Sequence, residues 1–153
     1  MKNQDLLDLN FKMWILIGDL HHNMVLVRQK ELDKYNISTR QLRILRLIEG
    51  LGPEARLSEI AKILQRKIDV VSRQAVMMEK DGLIKRIRDQ PKSRLLRLEL
   101  TEKGQELLNN IHRSKGMNEV LSVLTEKERQ EIYSALNRVM TKLNKYSAEE
   151  HED

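Results

Sequence analysis

A mainly α chain with one small β-hairpin is the fold class the sequence predicts, and three patterns predict it. Apolar residues recur at helical spacing along most of the 153 residues, from Leu6, Leu9, Met13, Leu16, Ile17 and Leu20 to Ile132, Leu136, Val139, Leu143 and Tyr146. Two short helical runs, Leu57 to Leu64 and about Ile68 to Asp81, follow each other closely, and Gly82 frees the chain to leave the second. Immediately after it, Leu83 to Arg88 and Arg94 to Leu100 read as strands around the polar turn Asp89-Gln90-Pro91-Lys92-Ser93. Two short helices and a basic hairpin make a winged helix-turn-helix, an architecture that sets its second helix in the major groove of DNA.

Composition narrows the function classes. Aromatic residues make up 3% of the chain, so its core is built from Leu, Ile, Val and Met. A charged fraction of 33% and a mean hydropathy of −0.56 point to heavily solvated faces. No apolar stretch has the length of a membrane span, and the N-terminus lacks the pattern of a secretion signal, so a cytoplasmic protein without a membrane partner is expected. The absence of Cys removes disulfides, thiol nucleophiles and thiolate metal sites together. Residues 40–100 hold 15 Lys or Arg against 8 Asp or Glu, a balance of +7 in a chain whose total is +5, so the basic excess lies in the candidate reading module.

The elements divide the chain into four parts. Residues 1–35 hold a long amphipathic helix from Asp5 to about Lys30, whose apolar surface also includes Leu7, Phe11, Trp14 and Ile15 and is wider than attachment to a small domain needs. It is expected to dimerise through Leu9, Met13, Ile17 and Leu20. Residues 36–100 form the reading module. Its first helix starts at Thr39, with Ser38 and Gln41 as a capping box and Ile37 and Leu42 as a hydrophobic staple, and ends at Gly50, Gly52 and Pro53. Ser58 is expected to cap the next helix, with Ile60, Ala61, Ile63 and Leu64 inward, and Gln65 to Lys67 to make the turn. The reading helix then buries Val71, Ala75 and Met78 and leaves Lys67, Asp69, Val70, Arg73, Gln74 and Met77 on or near its outward face. The hairpin presents Arg88, Lys92 and Arg94 toward phosphates or the minor groove.

Residues 101–146 carry the C-terminal dimerisation helices. One opens at Thr101 and breaks near Gly116; another opens on the capping box of Thr125 and Glu128. In the latter, Ile132, Leu136, Val139 and Leu143 recur at spacings of 4, 3 and 4, a packing seam too short for an independent coiled coil. Residues 147–153 have nothing to bury and are expected to be a disordered acidic tail.

With these elements in place the chain resembles the MarR-type transcriptional regulators. Ile37-Ser38-Thr39-Arg40-Gln41-Leu42 followed by Leu45 matches that family's second-helix opening, and Leu64, Val71-Ser72-Arg73 and Glu79 match its reading helices. Gly82-Leu83-Ile84, Arg86, Arg94, Leu98 and Leu100-Thr101-Glu102-Lys103-Gly104 fall at the spacing of its wing. The resemblance implies a homodimer that binds an inverted-repeat operator on double-stranded DNA, acts as a repressor or activator, with a repressor the expectation, and answers to a small organic effector. It also places Lys67, Asp69, Val70, Ser72, Arg73 and Gln74 of the reading helix, with Arg88, Lys92 and Arg94 of the wing, on DNA. The chain departs from the family where the wing has an acidic residue before two basic ones, since here the positions are Lys92, Ser93 and Arg94. Gln65, Arg66 and Lys67 depart likewise in the turn, which bears on the start of the recognition helix and on the operator sequence.

Rival classes find less support. His21-His22 and His112 have no Cys, Glu-x-x-His pair or carboxylate cluster at ligand spacing, and no phosphate-binding Gly-rich loop or Gly-x-Ser-x-Gly elbow is present. Neither a catalytic residue, a metal site nor a cofactor is expected, and adjacent histidines point to different helix faces. The alternatives are a winged-helix module that binds protein and a metal-responsive regulator. Trp14 and several Met residues are candidates to line an effector pocket.

Overall fold

The computed structural model describes residues 3–88, 96–112 and 115–149. The elements are α1 (Asn3–Asp33), α2 (Thr39–Leu51), a short 3₁₀ turn (Gly52–Glu54), α3 (Leu57–Ile63), α4 (Ile68–Lys80), β1 (Ile84–Arg88), β2 (Leu96–Leu100), α5 (Glu102–His112), α6 (Lys115–Leu121) and α7 (Glu126–Glu149). The chain forms two compact units, divided between Gly116 and Met117.

In the first unit, helix starts follow the sequence where caps are local. Gln41 donates its backbone N–H to Ser38 Oγ at 3.2 Å while the Gln41 side chain accepts from the Ser38 N–H at 2.8 Å, so two orphan donors of α2 are satisfied reciprocally. A third orphan is met from α1: Gln29 accepts from the Thr39 N–H at 3.1 Å and donates to the Ile37 carbonyl at 3.2 Å. Gln29 thereby fixes the end of α1 against the start of α2, and Leu32, one turn on, is fully buried.

The third helix does not start where expected. Its N-cap is Arg56, with no side-chain cap, and Ser58 is an exposed residue within the first turn. The reason is tertiary. Arg56 lies in an isolated antiparallel bridge with Arg97, and the Leu98 N–H donates to the Ala55 carbonyl at 2.8 Å, so Arg56 is held extended after the 3₁₀ turn and the chain turns helical directly after it. This start buries Leu57, Ile60 and Ala61; Ile63, expected inward, is exposed.

The hairpin pairs Ile84 with Leu100 through Arg88 with Leu96, antiparallel and without a bulge. Leu98 and Ile84 are buried on its inner face. Helix α5 then lies across the start of the hairpin. The Thr101 hydroxyl donates to the Gly82 carbonyl at 2.6 Å and accepts from the Gly104 N–H at 3.0 Å, so the residue expected to open this helix caps it and ties it back to the end of α4. The core runs from Leu32 through Ile44, Leu45, Ile48, Ile60, Val71, Ala75, Met78 and Leu98 to Leu108 and Ile111. It therefore extends beyond residues 36–100 into both flanking helices.

In the C-terminal part, α5 ends at His112 and a separate helix, α6, begins at Lys115, so the break expected near Gly116 falls at residues 113–114, outside the described residues. Gly116 itself is the second residue of α6, and a Cβ there would meet only the end of the Glu31 side chain. In the second unit, Thr125 and Glu128 form their capping box, with the Thr125 N–H donating to Glu128 at 2.8 Å. Helix α7 continues to Glu149, three residues into the stretch expected as a tail, because an established helix gains a hydrogen bond for each residue added. The rest of that stretch lies outside the described residues.

Candidate nucleic-acid interface

Helix α4 buries Val71, Ala75 and Met78 and turns the opposite side to solvent. Rows spaced by four residues divide that side. One row is Asp69, Arg73 and Met77; the adjacent row is Ile68, Ser72 and Val76. Arg73 and Asp69 form an ion pair at 3.3 Å with 70% and 64% of their side chains exposed, so water screens it heavily and the guanidinium can be drawn to another acceptor at little cost. Lys67, the N-cap, is exposed; Val70, Ser72 and Gln74 are half-buried at the edges of the face. All six reading-helix candidates thus reach solvent, with Lys67, Asp69 and Arg73 the most accessible.

The turn before α4 is tight. Gln65 adopts φ 51°, a left-handed conformation, and the Arg66 N–H donates to the Ala61 carbonyl at 2.9 Å, closing α3. The turn lies at Gln65 to Lys67, where the sequence places it, with a glutamine taking the left-handed position that asparagine or glycine usually fills.

Glu79, at the inner end of α4, connects the reading helix to the hairpin. Its carboxylate accepts from Arg86 Nε at 2.7 Å and from the Arg86 backbone N–H at 3.0 Å. The Arg86 side chain, followed by its backbone N–H, holds the Glu79 carboxyl below the ordinary carboxylate range. Seven positions and a change of element separate the two residues, so nothing in the sequence announces that they meet. Arg97 is turned inward, with the Pro53 carbonyl at 3.4 Å and Glu99 at 3.3 Å, and belongs to the support of the hairpin. Arg88 is exposed at the end of β1. Lys92 and Arg94 lie outside the described residues.

Residues 37–92 match the MarR family model, a span that takes in α2, α3, α4 and β1. The matched segment is about a third of the chain and is similar to MarR-family domains. The fold of the chain is likewise that of MarR-type winged-helix proteins. The 2,4-dichlorophenol-bound form of the organohalide-sensing transcriptional regulator RdhR is 24% identical, covering 92% of this chain and 85% of its own, with a TM-score of 0.74. MepR of S. aureus in its DNA complex is 23% identical, covering 84% and 96%, with a TM-score of 0.72. Reduced AbfR bound to DNA is 20% identical, covering 93% and 99%, with a TM-score of 0.72. At these identities the likeness is one of fold. No curated protein matches the sequence.

Leu9, Met13, Ile17 and Leu20 on α1 are exposed, and so, within the second unit, are Ile132, Leu136, Val139 and Leu143 on α7. Trp14 is 67% exposed. A cavity of about 400 Å³ in the first unit is lined by Tyr35, Ile37, Asp81, Leu83, Lys103 and Glu106 among others, and neither Trp14 nor a methionine contributes to it. Among the described residues no three His, Cys, Asp or Glu side chains come together as a metal site, and no helix is long and apolar enough to cross a membrane.

Proposed function

We propose that the chain is a DNA-binding transcriptional regulator of MarR type, which works as a homodimer on an inverted-repeat operator and represses until a small organic effector weakens its hold. The observation that carries this reading is the solvent-facing row of α4 inside the segment similar to MarR-family domains, with Arg73 held only by an exposed partner and the reading helix braced to the hairpin through Glu79 and Arg86. Arg73 is the principal grip; Lys67, Asp69, Val70, Ser72 and Gln74 surround it, and Arg88, Lys92 and Arg94 of the hairpin reach phosphates. The DNA complexes of MepR and AbfR, proteins of the same fold, support the assignment, and the dichlorophenol complex of RdhR supports an organic effector.

Homodimerisation is supported by the two apolar stripes. Leu9, Met13, Ile17 and Leu20 make one and Ile132, Leu136, Val139 and Leu143 the other; both stand in water in the single chain, and a second copy is the partner that covers both by symmetry.

Titration with DNA from around the chain's own gene, at several salt concentrations, tests the function. The expected result is a linear fall of log K with log salt, with Lys92→Ala and Arg94→Ala each lowering the slope by about 0.9. An unchanged slope for both variants would take the hairpin off the DNA backbone. Absence of salt-dependent binding would overturn the function itself.

A further inference from the structure

The outward side of α4 is apolar to an unusual degree for a surface that meets a polyanion. Ile68 is 53% exposed, Val76 45% and Met77 55%, and they surround the polar centre formed by Ser72 and Arg73. Ile68 and Val76 flank Ser72 along one row, and Met77 follows Arg73 along the next. None of the three is needed by the core, which the opposite side of the helix supplies through Val71, Ala75 and Met78.

We infer that this apolar frame reads thymine C5-methyl groups on either side of the base gripped by Arg73. The inference rests on the proposal that α4 enters the major groove. There every base edge presents hydrogen-bond donors or acceptors, and the thymine methyl is the one apolar group. An isoleucine, valine or methionine set against N7, O6 or an amino group strips water from it and returns no hydrogen bond, which costs free energy. The same side chain against a methyl buries apolar surface on both partners. The frame therefore favours thymine and penalises the other bases at the flanking positions, a discrimination that Arg73 cannot supply.

Uracil differs from thymine by that methyl alone. Duplexes selected from a random pool by the full-length protein would be resynthesised with deoxyuridine for thymine and titrated with the parent and with the Ile68→Ala/Val76→Ala/Met77→Ala variant, whose substitutions are at exposed positions. The parent is expected to bind the uracil duplex at least about fourfold more weakly, the worth of one buried methyl-sized group. The variant is expected to bind the two duplexes equally, a control for any effect of uracil on the duplex itself. Salt-dependent binding by the parent with no preference between thymine and uracil would overturn this inference and leave the proposed function standing. Failure to select any duplex would overturn both and assign the apolar frame to a protein partner.

Discussion

Glu79 and Arg86 close a two-point bridge between the reading helix and the first strand of the hairpin, with the carboxylate accepting from both the guanidinium and the backbone N–H of the same arginine. The ion pair is partly exposed, at 37% and 31% of the two side chains, so its contribution is modest and its role is to orient one element against the other. Because Arg86 lowers the folded-state pKa of Glu79, the bridge stabilises the fold fully above the ordinary value near 4.5 and is lost as pH falls through the lower folded value. Glu79→Gln is expected to cost about 1 kcal/mol at neutral pH and progressively less on acidification below that range. Urea midpoints of parent and variant across the acid range check this; a gap that does not shrink at low pH would assign the loss to packing.

Gly104 is required by close approach. A Cβ built there overlaps the Leu83 carbonyl oxygen and comes within 3.2 Å of the carbonyl carbon, and the backbone it meets is tied to Thr101 by an N–H···O bond of 3.1 Å. Gly104→Ala is expected to destabilise by about 3 kcal/mol, near the upper end of overpacking costs, because no flexible side chain can give way. Gly116→Ala is the contrasting case, since the group in its path is the mobile end of Glu31, and its midpoint in denaturant is expected to stay close to that of the parent. Equal effects of the two changes would contradict this reading of the α5 contact.

The Asp69–Arg73 pair predicts opposite outcomes for its two members on DNA. Arg73→Ala is expected to weaken binding to the selected site by about 1–3 kcal/mol. Asp69→Ala removes an exposed negative charge from the reading face and releases Arg73, and is expected to raise affinity for random duplex about two- to fivefold while narrowing the preference for the selected site. Anisotropy titrations on selected and random duplexes measure both. Weaker binding to random DNA by Asp69→Ala would show that Asp69 holds Arg73 in its working position.

Dimerisation is testable on α7 without touching the core of the first unit. Leu136 and Leu143 are exposed, so Leu136→Lys with Leu143→Lys is expected to leave helicity intact and to yield a folded monomer in sedimentation. Loss of the second half-site is then expected to reduce DNA affinity about 100-fold or more. A parent protein that sediments as a folded monomer at micromolar concentration would remove the basis for this.

Much of the fold was legible because its signals are local. Ser38 with Gln41 and Thr125 with Glu128 are caps whose partners lie three residues apart, and both act as the sequence suggests, while Thr101, expected to open α5, stands just before it and caps it through the Gly104 N–H. Gly82 adopts φ 74° where α4 ends, the conformation for which glycine is suited. The basic excess, the seam on α7 and the reading helix with Arg73 follow from composition and periodicity.

What the tertiary structure decided lies where a residue's partner is distant in sequence. Ser58 was a sound local candidate for a cap, but the bridge from Arg56 to Arg97 set the start of α3. Gln29 reaches ten residues onward to Thr39, Glu79 reaches across to Arg86, and Arg97 turns back to Pro53, and nothing in the types of these residues announces those partners. Met77 was expected on the outward face, but Ile68 and Val76 read in sequence as ordinary apolar positions of a helix; only packing left them on the face that carries Arg73. Caps and periodicity act over one helical turn and are written in neighbouring residues, whereas the choice of which apolar side chains are buried is made by the whole core at once.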